Sequence, residues 1–136
     1  MNKVILMMLL AVVTSGCSKP AGWSKAGGDK NYTLYVDQST FVKNGDKVKI
    51  WTMYDFNIPQ TIEVNSGKSM LVLSRKLQSE YDCKERKTQL LSIVAYSQNM
   101  GKGENAEFPV IPKFVSVAPA TVSENLLKIA CGEISL

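Results

Sequence analysis

The residues of this chain with the most chemical potential are its three cysteines, Cys17, Cys83 and Cys131. A thiol can be acylated, oxidised to a disulfide or used as a metal ligand. An odd number of cysteines in an exported protein leaves one thiol unpaired unless another reaction consumes it. Acylation of Cys17 would consume one, leaving Cys83 and Cys131 either to form a disulfide or to remain buried free thiols. A metal site is disfavoured, because structural zinc needs about four ligands and the sequence has no histidine.

Cys17 directly follows a segment typical of bacterial export signals. Lys3 gives this segment a positive charge, an apolar run covers residues 4–13, and small residues follow it. The run is too short for about 30 Å of hydrocarbon and has the proportions of a signal-peptide core. The position of Cys17 resembles a bacterial lipobox, in which the cysteine is diacylated. We therefore predict a signal peptide over residues 1–16 and lipidation of Cys17. The alternative is ordinary cleavage that leaves a free thiol.

Catalytic chemistry has little support in the sequence. The absence of histidine removes the commonest general base, and no nucleophile elbow, phosphate-binding loop or dinucleotide motif is present. The densest acidic group is Glu80, Asp82 and Glu85. Glu80 and Asp82 share a strand face and could form a carboxylate pair, but basic residues alternate with them, as on a solvated polar face. We predict a protein that is not an enzyme and needs no cofactor or metal.

The charge pattern offers one candidate contact for a partner. The formal net charge is +4, which favours anionic surfaces, but no Lys/Arg run is long enough to indicate nucleic-acid binding. Lys84, Arg86 and Lys87 form a basic turn that we take as the candidate ligand contact. Further lysines lie within residues 43–49. The alternative for both groups is that they keep the protein soluble and block edge-to-edge strand pairing.

The elements that must position these residues are mostly strands. Alternating apolar residues and turn signals recur after residue 31, and Asn44-Gly45 is the strongest short-range hairpin signal. The segments with strand patterns are residues 32–36, 40–43, 47–56, 61–64, 70–74, 76–83, 89–97 and 114–117. Residues 17–31 are predicted to be a lipidated N-terminus and a loose tether, and residues 100–103 a flexible connection.

One segment has a helical pattern. Thr121 and Glu124 form a capping box, apolar residues follow at helical spacing, and Gly132 is placed to end the helix. Cys131 lies at the margin of the apolar stripe and Cys83 on the apolar face of its strand. Both cysteines therefore point toward the same sheet–helix interface.

Two aromatic residues do not fit a simple two-faced sheet. Trp51, with Met53, makes the second half of segment 47–56 apolar on both faces. These two residues either belong to the core beneath the helix or form an exposed apolar patch for a partner. Trp23, within the predicted tether, is expected to pack against the edge of the domain.

Three segments together resemble the surface-adhesin protein E family of bacterial lipoproteins. They read YVDQSTFVKNGDKVKIWTMYDF, SEYDCKERKTQLLSIVAYSQNMGKG and VAPATVSENLLKIAC. The most specific parts are EYDCKERK and SQNMG. The resemblance implies an α+β fold that is mainly β, a curved antiparallel sheet of about six strands. It also implies one C-terminal helix packed across a face and tethered by a Cys83–Cys131 disulfide, with Cys17 as the lipid site.

The resemblance also implies a binding function. The family is named for members that bind host matrix and plasma proteins such as vitronectin, laminin and plasminogen. We therefore expect residues 32–136 to be the adhesin-E-like domain of an outer-membrane lipoprotein in the bacterial cell envelope, anchored through its N-terminal lipid. Ser18, rather than Asp, after Cys17 favours the outer membrane. The alternatives are a periplasm-facing accessory envelope lipoprotein with no host ligand, and a carrier of a small ligand on the face of the sheet.

Overall fold

The computed structural model describes residues 22–136, so the predicted signal peptide and Cys17 lie outside the described residues. The strands are β1 (Trp23–Gly28), β2 (Tyr32–Asn44), β3 (Lys47–Asn65), β4 (Lys68–Asp82), β5 (Lys87–Gln98), β6 (Lys102–Phe108) and β7 (Val115–Ser116). A 3-10 turn, Asn99–Gly101, connects β5 to β6, and helix α1 (Val122–Ala130) follows β7. No helix in this part of the chain is long and apolar enough to cross a membrane.

The strands form one antiparallel meander. Their order across the sheet is β1-β2-β3-β4-β5-β6, and the short β7 pairs with the start of β5. Each of these six strands pairs with its neighbour in sequence, as short hairpin connections require. The predicted fold, a mainly antiparallel sheet with one C-terminal helix, is confirmed.

The strands are longer than the sequence pattern predicts. β2 continues through the predicted break, with its register against β3 shifting between Asp37 and Val42. β3 likewise joins two predicted segments, with a shift against β4 between Asp55 and Gln60. A bulge inserts residues into one strand without ending the pairing. The local alternation is lost at such a point while the strand continues.

Two strands were absent from the prediction. β1 lies within the predicted tether, where it pairs with β2, so the sheet begins before the predicted domain boundary at residue 32. β6 begins in the predicted flexible connection and pairs with β5. Both are edge strands rich in glycine or polar residues. Their stability depends on backbone hydrogen bonds to a neighbour rather than on an alternating pattern.

Helix α1 has the predicted caps. The Thr121 hydroxyl accepts a hydrogen bond from the Glu124 backbone N–H at 3.2 Å, and Gly132 has a φ of 72°. The left-handed conformation at Gly132 suits a residue without a Cβ and ends the helix.

The main core lies between helix α1 and one face of the sheet, which we call the helix-packed face. Its buried residues are Leu34, Val36, Val48, Ile50, Tyr81, Leu126, Leu127, Ile129 and Ala130. Burial of this apolar surface is the main favourable term in docking the helix, at about 25 cal/mol per Å².

The opposite, helix-free face carries Trp51 and Met53, because side chains alternate along β3. Met53 is 0 % exposed and Trp51 is half-buried. The prediction that these residues form core beneath the helix is therefore wrong in location. Met53 is buried within the helix-free face.

A disulfide between Cys83 and Cys131 ties the end of helix α1 to the β4–β5 turn, with a Cα–Cα distance of 5.8 Å. The predicted bridge is confirmed. It spans 48 positions of sequence, so it fixes the helix to the sheet near the end of the chain.

Candidate functional site

The candidate ligand contact lies in the tight turn between β4 and β5. The Asp82 carboxylate accepts hydrogen bonds from the backbone N–H groups of Lys84 and Glu85, at 3.0 and 2.9 Å. The Arg86 N–H donates to the Asp82 carbonyl at 2.9 Å. These bonds hold the turn in one conformation, with the side chains of Lys84 and Lys87 exposed to solvent.

Arg86 differs from the two lysines because its charge is already paired. Its guanidinium donates to the carboxylate of Glu133, and both side chains are about two-fifths exposed, at 41 % and 43 %. The Arg86 carbonyl also accepts from the Val117 N–H at 3.1 Å. Arg86 therefore connects the turn to the chain on either side of helix α1. Within residues 22–136 neither Lys84 nor Lys87 forms an ion pair.

The structure brings the second group of lysines to the same end of the sheet. Lys47 pairs in register with Asp82, and the Cys83 N–H donates to the Asp46 carbonyl at 2.8 Å. The β2–β3 hairpin turn therefore lies beside the β4–β5 turn. We call the surface formed by four exposed lysines of these two hairpins the basic end. They are Lys43, Lys47, Lys84 and Lys87.

A small cavity lies at the basic end, next to the disulfide, with Lys43 in its lining. Its volume is about 260 Å³. It is lined by Lys43, Gly45, Asp46, Val48, Cys83, Ala130, Cys131 and Gly132. Lys47 lies to one side, with its ammonium 5.3 Å from the centroid of the Phe114 ring. This arrangement offers exposed cations to an acidic partner surface.

The acidic residues of β4 have structural roles. Glu80 accepts a hydrogen bond from the Gln89 side-chain amide at 2.9 Å, and Asp82 accepts from the turn. Both carboxylates are thus used within the sheet and its turn, as expected for a polar face. Within the described residues no group of three or more His, Cys, Asp or Glu side chains is placed to hold a metal ion.

A second cavity bears on the expectation of a small-ligand carrier. It lies on the helix-packed face beside helix α1 and has a volume of about 380 Å³. Tyr81 and Leu126 form part of its wall, and Ile111, which is 94 % exposed, lies at its edge. Burial raises the pKa of Tyr81, while contacts with the hydroxyls of Ser123 and Thr88 lower it in part. Helix α1 therefore leaves part of this face open, with Lys113 as the charged residue in the cavity lining.

The domain is thus an antiparallel meander with a disulfide-tethered helix and exposed cations on hydrogen-bonded turns. The model of the surface-adhesin protein E family matches residues 23–132. The chain therefore belongs to this family of surface adhesins. The family resemblance of the sequence is confirmed.

Solved structures of Haemophilus influenzae protein E share the fold. One crystal form is 16 % identical, covering 83 % of this chain and 89 % of that chain with a TM-score of 0.66. A structure from a non-typeable strain is 17 % identical, covering 82 % of this chain and 76 % of that chain with a TM-score of 0.63. No curated protein matches the chain significantly.

Proposed function

We propose that this protein is an outer-membrane lipoprotein, anchored through Cys17, whose domain binds host matrix or plasma proteins at the bacterial surface. The observation that carries the proposal is the family match over residues 23–132. The exposed lysines of the basic end supply the contact, and the lipid on Cys17 holds the domain at the membrane.

The basic end suits an acidic partner because its cations project from rigid turns. Lys84 lies in the turn that the Asp82 carboxylate holds by two hydrogen bonds, and Lys87 begins β5 directly after it, so little ordering is needed on binding. Exposed charges act through solvent and are screened over about 8 Å at physiological salt. Their contribution therefore depends steeply on salt concentration.

Reversal of the two free charges tests the contact. We expect Lys84→Glu with Lys87→Glu to weaken binding to immobilised matrix proteins about tenfold and to flatten its salt dependence, with the thermal transition almost unchanged. Arg86 is left intact because its pairing with Glu133 supports the turn. Lys68→Glu with Lys102→Glu, two exposed lysines near the opposite end of the sheet, is the matched control. Equal binding by both double variants would exclude the basic end as the contact.

A second experiment tests the anchor and the orientation of the protein. We expect Cys17→Ala to release the protein from the membrane fraction, and protease shaving of intact cells to remove the domain of the unaltered protein. If the variant stays in the membrane fraction to the same extent as the unaltered protein, lipidation of Cys17 is refuted. Protection from shaving would support the periplasm-facing accessory lipoprotein instead.

A further inference from the structure

The helix-free face carries a cavity that the proposed function does not use. Its volume is about 390 Å³, within the roughly 300–1,000 Å³ typical of ligand sites. It is lined by Trp23, Asp37, Thr40, Trp51, Lys76 and Tyr96, and we call it the aromatic site. The chain has only two tryptophans, and both lie here.

Lys76 is held between two aromatic rings of the aromatic site. Its ammonium lies 5.7 Å from the centroid of the Trp23 ring and 5.2 Å from that of the Tyr96 ring. These rings belong to β1 and β5, with three strands between them. These two strands would be four strand spacings, or about 19 Å, apart in a flat sheet. Because both rings contact one ammonium, they must lean toward each other over the face of the sheet. A cationic ligand would compete with Lys76 for the ring faces. An anionic ligand could instead form an ion pair with the Lys76 ammonium.

The SQNMG segment positions Lys76. A Cβ on Gly101 would lie 2.5 Å from Cε of Lys76, and Gly101 has a φ of +67°. The Gly101 N–H donates to the Ser74 hydroxyl at 2.9 Å, and the Met100 N–H donates to the Asp55 carboxylate at 2.8 Å. The 3-10 turn is thus bonded to the helix-free face and packs directly on the lysine. A Cβ at this position would force the flexible end of the Lys76 side chain to move, and the positive φ itself favours glycine.

The other side of the aromatic site presents hydrogen-bonding groups. Asp37 is 7 % exposed, and its Oδ1 accepts from the N–H and the hydroxyl of Ser39, at 3.0 and 2.5 Å. Its Oδ2 has no donor among the described residues and can accept from a ligand hydroxyl. The Thr40 hydroxyl donates to the Asp37 carbonyl at 2.6 Å and keeps its own oxygen as an acceptor.

We propose that the aromatic site binds an acidic saccharide, a sugar ring with one carboxylate substituent. The half-buried indoles and phenol stack on the C–H face of the ring, Lys76 pairs with the carboxylate, and Asp37 and Thr40 accept from ring hydroxyls. Asp37 and Glu107, which lies beside Tyr96, are negatively charged and would repel a dense polyanion. The site therefore favours a sugar ring with a single negative charge. This site is separate from the basic end and does not depend on the proposed function.

Tryptophan fluorescence of the full chain in detergent tests the proposal, because both tryptophans line the site. A hyaluronan tetrasaccharide represents the carboxylated glycans of a host matrix. The N-acetylglucosamine–N-acetylmuramic acid disaccharide represents those of a bacterial cell wall. Chitotetraose and chitobiose, which lack the carboxylate, are the neutral controls of matched length.

We expect a saturable fluorescence change with at least one acidic sugar, with the neutral sugars at least tenfold weaker. The acidic sugar that binds more tightly identifies the source of the ligand. Lys76→Gln should lower the affinity at least tenfold, and Lys68→Gln, an exposed lysine near the start of the same strand, should leave it unchanged. Tyr96→Leu keeps both tryptophans and should also weaken binding.

Three results would overturn the proposal. They are no saturable change with either acidic sugar up to millimolar concentration, equal binding of acidic and neutral sugars, and undiminished binding by both Lys76→Gln and Tyr96→Leu. Thermal transitions of the variants, measured in parallel, show that the fold is intact.

Discussion

Cys83 and Cys131 show how single residues connect distant parts of this chain. Their disulfide joins the β4–β5 turn to the end of helix α1 across 48 positions. The Arg86–Glu133 ion pair joins the same two regions. The pair is partly exposed and contributes at most about 1 kcal/mol, whereas a loop of this length makes the disulfide worth about 4 kcal/mol in the chain-entropy model.

Loss of the disulfide is therefore expected to be the larger perturbation. We expect Cys83→Ser with Cys131→Ser to lower the free energy of unfolding by several kcal/mol, as measured by urea denaturation without reductant. Glu133→Ala should lower it by less than about 1 kcal/mol. Equal losses of unfolding free energy in the two variants would show that the disulfide does not constrain the unfolded chain as the chain-entropy model assumes.

At the scale of elements, the 3-10 turn between β5 and β6 is bonded to the neighbouring strands by side chains. Asp55 on β3 accepts hydrogen bonds from the Asn99 amide and the Met100 N–H, at 3.0 and 2.8 Å. Met100 has a φ of 58°, a conformation that costs energy for a residue with a side chain. The carboxylate of Asp55 offsets this cost.

Removal of this carboxylate should loosen the turn. We expect Asp55→Ala to lower the free energy of unfolding by about 2 kcal/mol, because two donors lose a charged acceptor. Hydrogen exchange at Met100 and Gly101 should accelerate. Asp46→Ala, an exposed turn residue, is the control and should change stability by no more than about 0.5 kcal/mol. Unchanged exchange in Asp55→Ala would show that the turn is held by other contacts.

At the scale of the whole molecule, strand β1 completes the sheet. β1 covers the edge of β2, and an uncovered strand edge promotes association with other chains. β1 also carries Trp23, whose ring contacts Lys76. A segment that the sequence pattern presents as a tether is therefore part of the domain.

Deletion of residues 22–28 tests this role of β1. We expect the midpoint of thermal unfolding to fall by roughly 5 °C or more, with aggregation that depends on protein concentration. Lys25→Gln, an exposed change within β1, should leave the midpoint unaltered. A deletion variant as stable and monomeric as the intact chain would show that β1 is dispensable.

The sequence alone determined the central strands, the capped helix and the sheet–helix interface toward which Cys83 and Cys131 point. These features depend on local patterns, namely side-chain alternation, turn residues and a capping box. The segments resembling the adhesin family carried the rest of the prediction, including the bridge itself.

Only the tertiary structure decided the features that depend on register. Strand pairing places β1 and β6 in the sheet, sets the two lysine groups side by side and turns Trp51 away from the helix. It also brings Trp23, Lys76 and Tyr96 together from three different strands. Local sequence cannot specify these contacts, because a shift of one residue in register reverses the face of every side chain.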